Sequence, residues 1–445
     1  MRKGLIVFIL SLIFALQANS YELILPADKK SIVNSDYAFF VGKALGSESV
    51  TINDEGVYIA PNGAFAHSVK LKDGENRIMV RSNYCTKIYK VYKNTVLNKE
   101  FPIEEFDTKR ALVNFDNTPL RKTPVDAGLN RIGHLFAGTH LLLDGSKGDF
   151  YRVFLSKNKT AWIAKKDVTF DDSEITEPAK FLNMNTKSFK NASVQTISFT
   201  KKLPYTVEDT DKEIIFRVYN PEYSAESVYN LNIPKQEKYM YSVMLNDNGE
   251  YTFKVRQLPD NIKDCTIVID AGHGGEELGA IGCLGDEEKT INLKIAQELA
   301  SILSNAGANV VMTRECDCNL SLNDRVNIAK ENGADIFVSI HLNSIGNVKM
   351  NVHKNRGTSV FYFNKNSEML AKSIERSLSS QIGTRKDGVK GASFAVIRPS
   401  EYVAVLVEAA YMTNPLDSVL YTKPTFAKEA AEGIAKGIIN YISKK

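Results

Sequence analysis

From Cys265 to the end of the 445-residue chain, short apolar runs alternate with segments of helical periodicity. "TIVI" is followed by a segment in which Ile291, Ile295, Leu299 and Ile302 recur at helical spacing. Next comes "NVVMTR", then a helix begun by Ser321 with Asp324 three residues on, the pattern of a capping box. "DIFVSIH" and "GTSVFYF" precede a helix starting near Ser367, and "YVAVLVE" precedes a last helix from about Phe426 to Ile442. Strands alternating with helices of this length predict an α/β domain over 265–445, its mainly parallel sheet flanked by helices.

The chain before Cys265 has another grammar. From Tyr21 to about Lys93, period-two stretches such as "SVTIND" and "KIYKVYK" are punctuated by Pro61-Asn62-Gly63 and Asp73-Gly74. Short strands at this spacing predict a small sandwich over 21–95; the stretch resembles the immunoglobulin-like modules of bacterial secreted enzymes. After a linker containing Pro102, strands broken at Gly138 and Gly145–Gly148 occupy 108–170. They resemble a bacterial Src-homology-3-like domain. The sole tryptophan, Trp162, is read as a core residue of that barrel, with an aromatic ligand shelf as the alternative. Beyond the acidic "FDDSEITEPA", residues 178–258 form a third β-rich module, with a likeness to wall-targeting modules. The expected fold is therefore multidomain: three small all-β modules, then the α/β domain. The β modules hold no cluster of His, Cys and carboxylates, so they are expected to localise the chain rather than to perform chemistry.

"MRKGLIVFILSLIFALQANS" places Arg2 and Lys3 before an apolar run and small residues at Ala18 and Ser20. That is the layout of a secretory signal peptide over 1–20, cleaved between Ser20 and Tyr21. The expected product is exported to the periplasm, cell wall or medium, with no stable membrane span after cleavage. A net charge of +4 on this length argues against a nucleic-acid partner. The cysteines are Cys85, Cys265, Cys283, Cys316 and Cys318, an odd set that leaves at least one unpaired or intermolecular. Cys316-x-Cys318 lacks the second such pair that tetrahedral thiolate sites usually present.

Three apolar runs in the last domain each deliver a metal-type or acid–base group. Ile267–Ile269 leads to His273, Ile336–Ile340 to His341, and Val403–Val407 to Glu408. Ligands of open α/β sheets bind outside the carboxyl ends of the strands. Parallel neighbouring strands would bring the three together, and Gly272, Gly274 and Gly275 would let the backbone turn sharply around His273. Glu287 and Glu288 open the following helix and offer a fourth group, although either carboxylate there also complements the helix dipole. Two histidines, one carboxylate and an open position make a catalytic zinc site, with a second carboxylate as base.

The motifs "IDAGHGG", "GDEEKTINL", "MTRECD", "LSLNDRVNIA", "FVSIHLNS" and "VLVEAAYMTNP" resemble, in order and spacing, those of the zinc-dependent N-acetylmuramoyl-L-alanine amidases. The resemblance covers Cys265 to Lys445. It implies zinc on His273, Glu288 and His341, with Glu408 as catalytic acid/base; the family's metal-binding glutamate precedes a lysine, which selects Glu288 over Glu287. It implies a peptidoglycan hydrolase that cuts between N-acetylmuramic acid and L-alanine of the stem peptide. The sequence departs from the family at Ala271, where proline is usual, and at Ala410-Tyr411, where glycine-phenylalanine is usual. Asn343 reads as steadying the His341 loop, with contact to the glycan as the alternative, and His353 as a solvated loop residue, with contact to substrate as the alternative. No motif names an activating protein. The alternatives are another zinc peptidase acting on wall peptides and a non-catalytic wall-binding protein.

Overall fold

The computed structural model describes residues 21–444 apart from 48, 95–100, 127, 174–176, 236–237, 346–351 and 353. The expected signal segment, 1–20, and His353 lie outside the described residues.

Tyr21 to Lys93 form a three-stranded and a five-stranded sheet. Alternate residues of these strands point inward, so Phe40, Ile52, Phe65, Ile78 and Val80 share one buried cluster. Next, Glu104 to Phe170 supply a single seven-stranded sheet. Trp162 is buried at 6% exposure, which makes it a core residue and not a shelf. Two further sheets, of four and three strands, follow between Phe181 and Gln257. Their inner residues, including Phe199, Phe216 and Phe253, continue the same cluster as Leu143, Val153 and Ile163 of the seven-stranded sheet. Those two β regions thus share one hydrophobic core.

The carboxy-terminal sheet comprises β1 (Thr266–Ala271), β2 (Asn309–Met312), β3 (Ile336–Asn343), β4 (Thr358–Tyr362), β5 (Lys386–Gly391) and β6 (Val403–Tyr411). The helices are α1 (Glu288–Asn305), α2 (Leu322–Glu331), α3 (Glu368–Ile382), α4 (Pro415–Tyr421) and α5 (Phe426–Ser443). The strand order is β2-β1-β3-β6-β4-β5. Steps β2-β1, β1-β3, β3-β6 and β4-β5 are parallel, but β4 runs antiparallel to β6, so the sheet is mixed. A parallel step needs a crossover, usually a helix, and the described residues between β3 and β4 contain none.

Both faces of this sheet are covered, which is why its strands read as unbroken apolar runs. On one face Ile267, Ile269, Val338 and Val405 pack with Leu299 of α1, Ile374 of α3 and Ile434 of α5. On the other, Val268, Phe337 and Leu406 pack with Ala329 of α2 and Tyr402. Ser321 caps α2 through the reciprocal bonding with Asp324 read from the sequence. Met240 and Leu258, from the preceding β region, belong to the first of these two cores. Arg256 pairs with Asp335 and donates to the carbonyls of Ala334 (2.7 Å) and Glu401 (3.2 Å), fastening the β region to the domain. No helix among the described residues is long and apolar enough to cross a membrane.

Candidate metal centre

β1, β3 and β6 are adjacent and parallel, and their carboxyl ends gather the predicted groups at one edge. β1 stops at Ala271, and the chain turns with His273 in the left-handed region (φ 60°). Such a backbone is uncommon for a side chain larger than glycine and needs support from its surroundings. Two arginines provide it. Arg314 donates to the carbonyls of Ala271 (2.8 Å) and Gly272 (3.0 Å), and Arg325 to those of Ala271 (2.7 Å) and His273 (2.9 Å). Asp270, 1% exposed, balances Arg325 at 2.6 Å and also accepts from Thr313 and Ser339, each at 2.7 Å. Charge-assisted bonds of this kind are the strong ones, and here they fix the turn that carries His273.

Glu288, in the first turn of α1, lies between the two histidines. Its Oε1 is 2.9 Å from His341 Nδ1, and its Oε2 is 3.3 Å from His273 Nε2. The carboxylate also accepts from the backbone of Ala280 (2.8 Å) and Leu342 (3.2 Å) and from Asn292 (3.3 Å). The ligating atoms of His273, Glu288 and His341 all lie within 4.8 Å of one another. Among the described residues this is the group of His, Cys, Asp and Glu able to hold a metal ion. Glu287 is outside it, with a side chain 40% exposed and paired at 3.6 Å to Lys289. Burial would raise the Glu288 carboxyl, but the two imidazoles outweigh it and hold the group well below the usual carboxylate range. Burial opposes protonation of His273, yet Glu288 beside it raises that histidine above its ordinary value.

Two glycines make the close approach possible. A Cβ on Gly272 would stand 2.2 Å from the His341 ring, and one on Gly279 would stand 2.6 Å from Glu288 Oε2. Contacts under about 3 Å are not tolerated by real side chains, so both positions must lack one.

Glu408 is the register partner of His341 on β6. In aligned strands such partners point to one face, so the two side chains stand side by side. Glu408 is half-buried, and its Oε2 has no hydrogen-bond partner among the described residues. Burial first, then the Glu288 charge, push its carboxyl well above the ordinary range, with Lys390 opposing. A cleft of about 590 Å³ opens here, lined by His273, Glu277, His341, Asn343, Ser344 and Glu408.

Two imidazoles and one carboxylate are a donor set of the kind that can hold a metal ion. Glu408, which lines the same cleft, adds a further carboxylate beside them. Asn343 accepts from Ser344 (2.8 Å) and Met412 (2.7 Å), which ties the end of β3 to β6. Cys316 and Cys318 bring their sulfurs to 2.7 Å of each other, outside the three-residue cluster. Ala271, Ala410 and Tyr411, where the sequence departs from the family pattern, are all fully buried. Sequence reasoning missed Asp270, Arg314, Arg325 and Asn292. Their only signal was their presence within the quoted motifs, which does not say where they point.

Residues 267–440 match the family model described as N-acetylmuramoyl-L-alanine amidase (Amidase_3). An uncharacterized protein of Bacillus subtilis, YqiI, is 39% identical over 42% of this chain and 88% of its own length. The N-acetylmuramoyl-L-alanine amidase AmiA of Escherichia coli is 30% identical over 39% of this chain and 75% of its own. The N-acetylmuramoyl-L-alanine amidase LytC of Bacillus subtilis is 36% identical over 45% of this chain but only 40% of its own.

Proposed function

The chain belongs to the N-acetylmuramoyl-L-alanine amidase family, and on that basis we propose that it hydrolyses the amide between N-acetylmuramic acid and L-alanine in peptidoglycan, with zinc on His273, Glu288 and His341. The observation that carries this reading is the meeting of those three donors within 4.8 Å at the sheet edge beside Glu408. When bound, zinc supplies a Lewis acid that polarises the amide carbonyl and acidifies water.

The chain's own groups do the rest. Glu408 accepts a proton from the attacking water and returns it to the leaving nitrogen of L-alanine. A carboxyl held above its ordinary range by burial is suited to carrying that proton between the two steps. Arg314, Arg325 and Asp270 hold the His273 turn, and Asn292 orients Glu288, so both are in place before substrate arrives. The β regions serve as the immunoglobulin-like, Src-homology-3-like and wall-targeting modules that keep an exported enzyme on the wall.

Mass analysis of peptidoglycan digested by the purified chain tests the reading. Free stem peptides with an L-alanine amino terminus and glycan bearing unsubstituted lactyl groups are expected. Products cut within the stem peptide would instead identify a wall peptidase.

A further inference from the structure

Five β-sheets precede the α/β domain in sequence, yet the earliest β region packs against the last domain beside the metal centre. Val41, Ala60, Ala64 and Ala66 of the amino-terminal sandwich form one buried cluster with Cys283, Ile345, Val352 and Tyr411 of the last domain. The first four are 0–3% exposed, and Cys283 and Tyr411 are fully buried. Asn62 Nδ2 donates to Ser418 Oγ on α4 at 3.0 Å across the same contact. The sandwich side is built largely of buried alanines, and inserting a long side chain into such a packed contact is destabilising.

What this contact touches gives it meaning. Cys283 ends the segment in which Gly279 abuts Glu288 and Ala280 donates to it at 2.8 Å. Cys283 is itself tied to the residue that follows β6, its N–H donating to the Met412 carbonyl (3.2 Å). Ile345 directly follows Asn343 and Ser344, which line the cleft, and its N–H donates to Thr413 Oγ1 at 3.0 Å. The sandwich therefore backs both segments that flank the metal centre, without itself lining the cleft.

We propose that the amino-terminal sandwich is a fixed backing of the catalytic site, and that Ala64, acting through Cys283 and Ile345, and Asn62, holding the same contact through Ser418 of α4, are positioning residues. The inference rests on the amidase reading for its kinetic consequence, but its physical half stands on the contact alone. It also sets the sandwich apart from a module whose sole task is to bind the wall.

Cys283 is a built-in reporter, because it is fully buried within the cluster that the contact forms. In the full chain, Ala64→Arg and Asn62→Ala are compared with wild type and with Tyr84→Ser, a change at a position 64% exposed on the same sandwich. Alkylation of Cys283, read by peptide mass, measures the contact. The rate on a small soluble muropeptide measures the site, and wall binding cannot contribute to it. Ala64→Arg should raise Cys283 labelling at least tenfold and lower kcat/KM about tenfold, since small misplacements remote from the chemistry are costly. Asn62→Ala should move both in the same direction by less, and Tyr84→Ser should move neither. If Ala64→Arg fails to fold, Asn62→Ala decides by the same two readings. Rapid labelling of Cys283 in wild type, or variants that expose Cys283 at an unchanged kcat/KM, would overturn the proposal. Wild type that keeps Cys283 protected but leaves the muropeptide uncut would overturn the amidase reading instead.

Discussion

Gly272 and His341 are fitted to one another: a β carbon on Gly272 would lie 2.2 Å from both Cε1 and Nε2 of the imidazole. The backbone of one strand's end thus forms the wall against which the next strand's histidine rests. Gly272→Ala should push the ring off Glu288 while leaving both donors in the chain. Zinc content is expected to drop, and activity to fall on the order of 10²-fold. Zinc stoichiometry and muropeptide turnover on the same preparation check this; an alanine variant with full metal and full rate would refute the packing.

Metal dependence follows from the three donors. A chelator should abolish turnover and added zinc should restore it. His341→Ala removes a nitrogen 2.9 Å from Glu288 and should lose both metal and rate. Full activity in that variant without bound metal would remove His341 from the site.

Glu408→Gln separates the base from the ligands. It keeps the shape of the side chain but cannot accept a proton, so turnover should fall about 10²–10⁴-fold. Zinc should stay at the wild-type level, whereas His273→Ala should lose it. If Glu408→Gln loses zinc, the residue is a ligand and the base lies elsewhere.

Arg325→Ala would leave Asp270 buried without its 2.6 Å counter-charge. Breaking a buried pair by removing one partner typically costs about 3–5 kcal/mol. A clear fall in the unfolding temperature of the chain is expected, together with weakened zinc binding because the His273 carbonyl loses a donor. Arg325→Lys should recover only part of each, since an ammonium cannot span Asp270 and two carbonyls at once. Unchanged thermal stability in Arg325→Ala would show that the pair holds nothing.

His134, in the seven-stranded sheet, has its pKa lowered from the ordinary 6.5 to about 4, by burial first and then by Arg131, Arg398, Arg121 and Lys330. The folded chain therefore keeps the ring neutral where the unfolded chain takes a proton. Linkage then makes stability fall as pH drops from 6.5 towards 4, with the loss complete below that window. His134→Gln should flatten the dependence over this range. Denaturant unfolding at several pH values tests it, and identical profiles for the two proteins would contradict the assignment.

The sequence by itself determined the local pieces and their chemistry. Apolar runs too long for half-exposed strands announced β1, β3 and β6, because a sheet covered on both faces needs no polar alternation. Ser321 and Asp324 announced the start of α2, because capping is settled within four residues. His273, His341 and Glu408 were legible because each ends an apolar run, and Glu288 through the motif it shares with the amidases.

Relations between distant segments were left to the tertiary structure. Period and propensity do not encode strand direction, so only the assembled sheet revealed that β4 runs antiparallel to β6. Asp270 and Arg325 are 55 residues apart, and no local rule says that one charge will neutralise the other beneath the His273 turn. The shared core of the two middle β regions and the packing of Ala64 near Cys283 were equally hidden. An apolar residue in the sequence declares that it will be buried, but which surface buries it depends on the whole chain's packing.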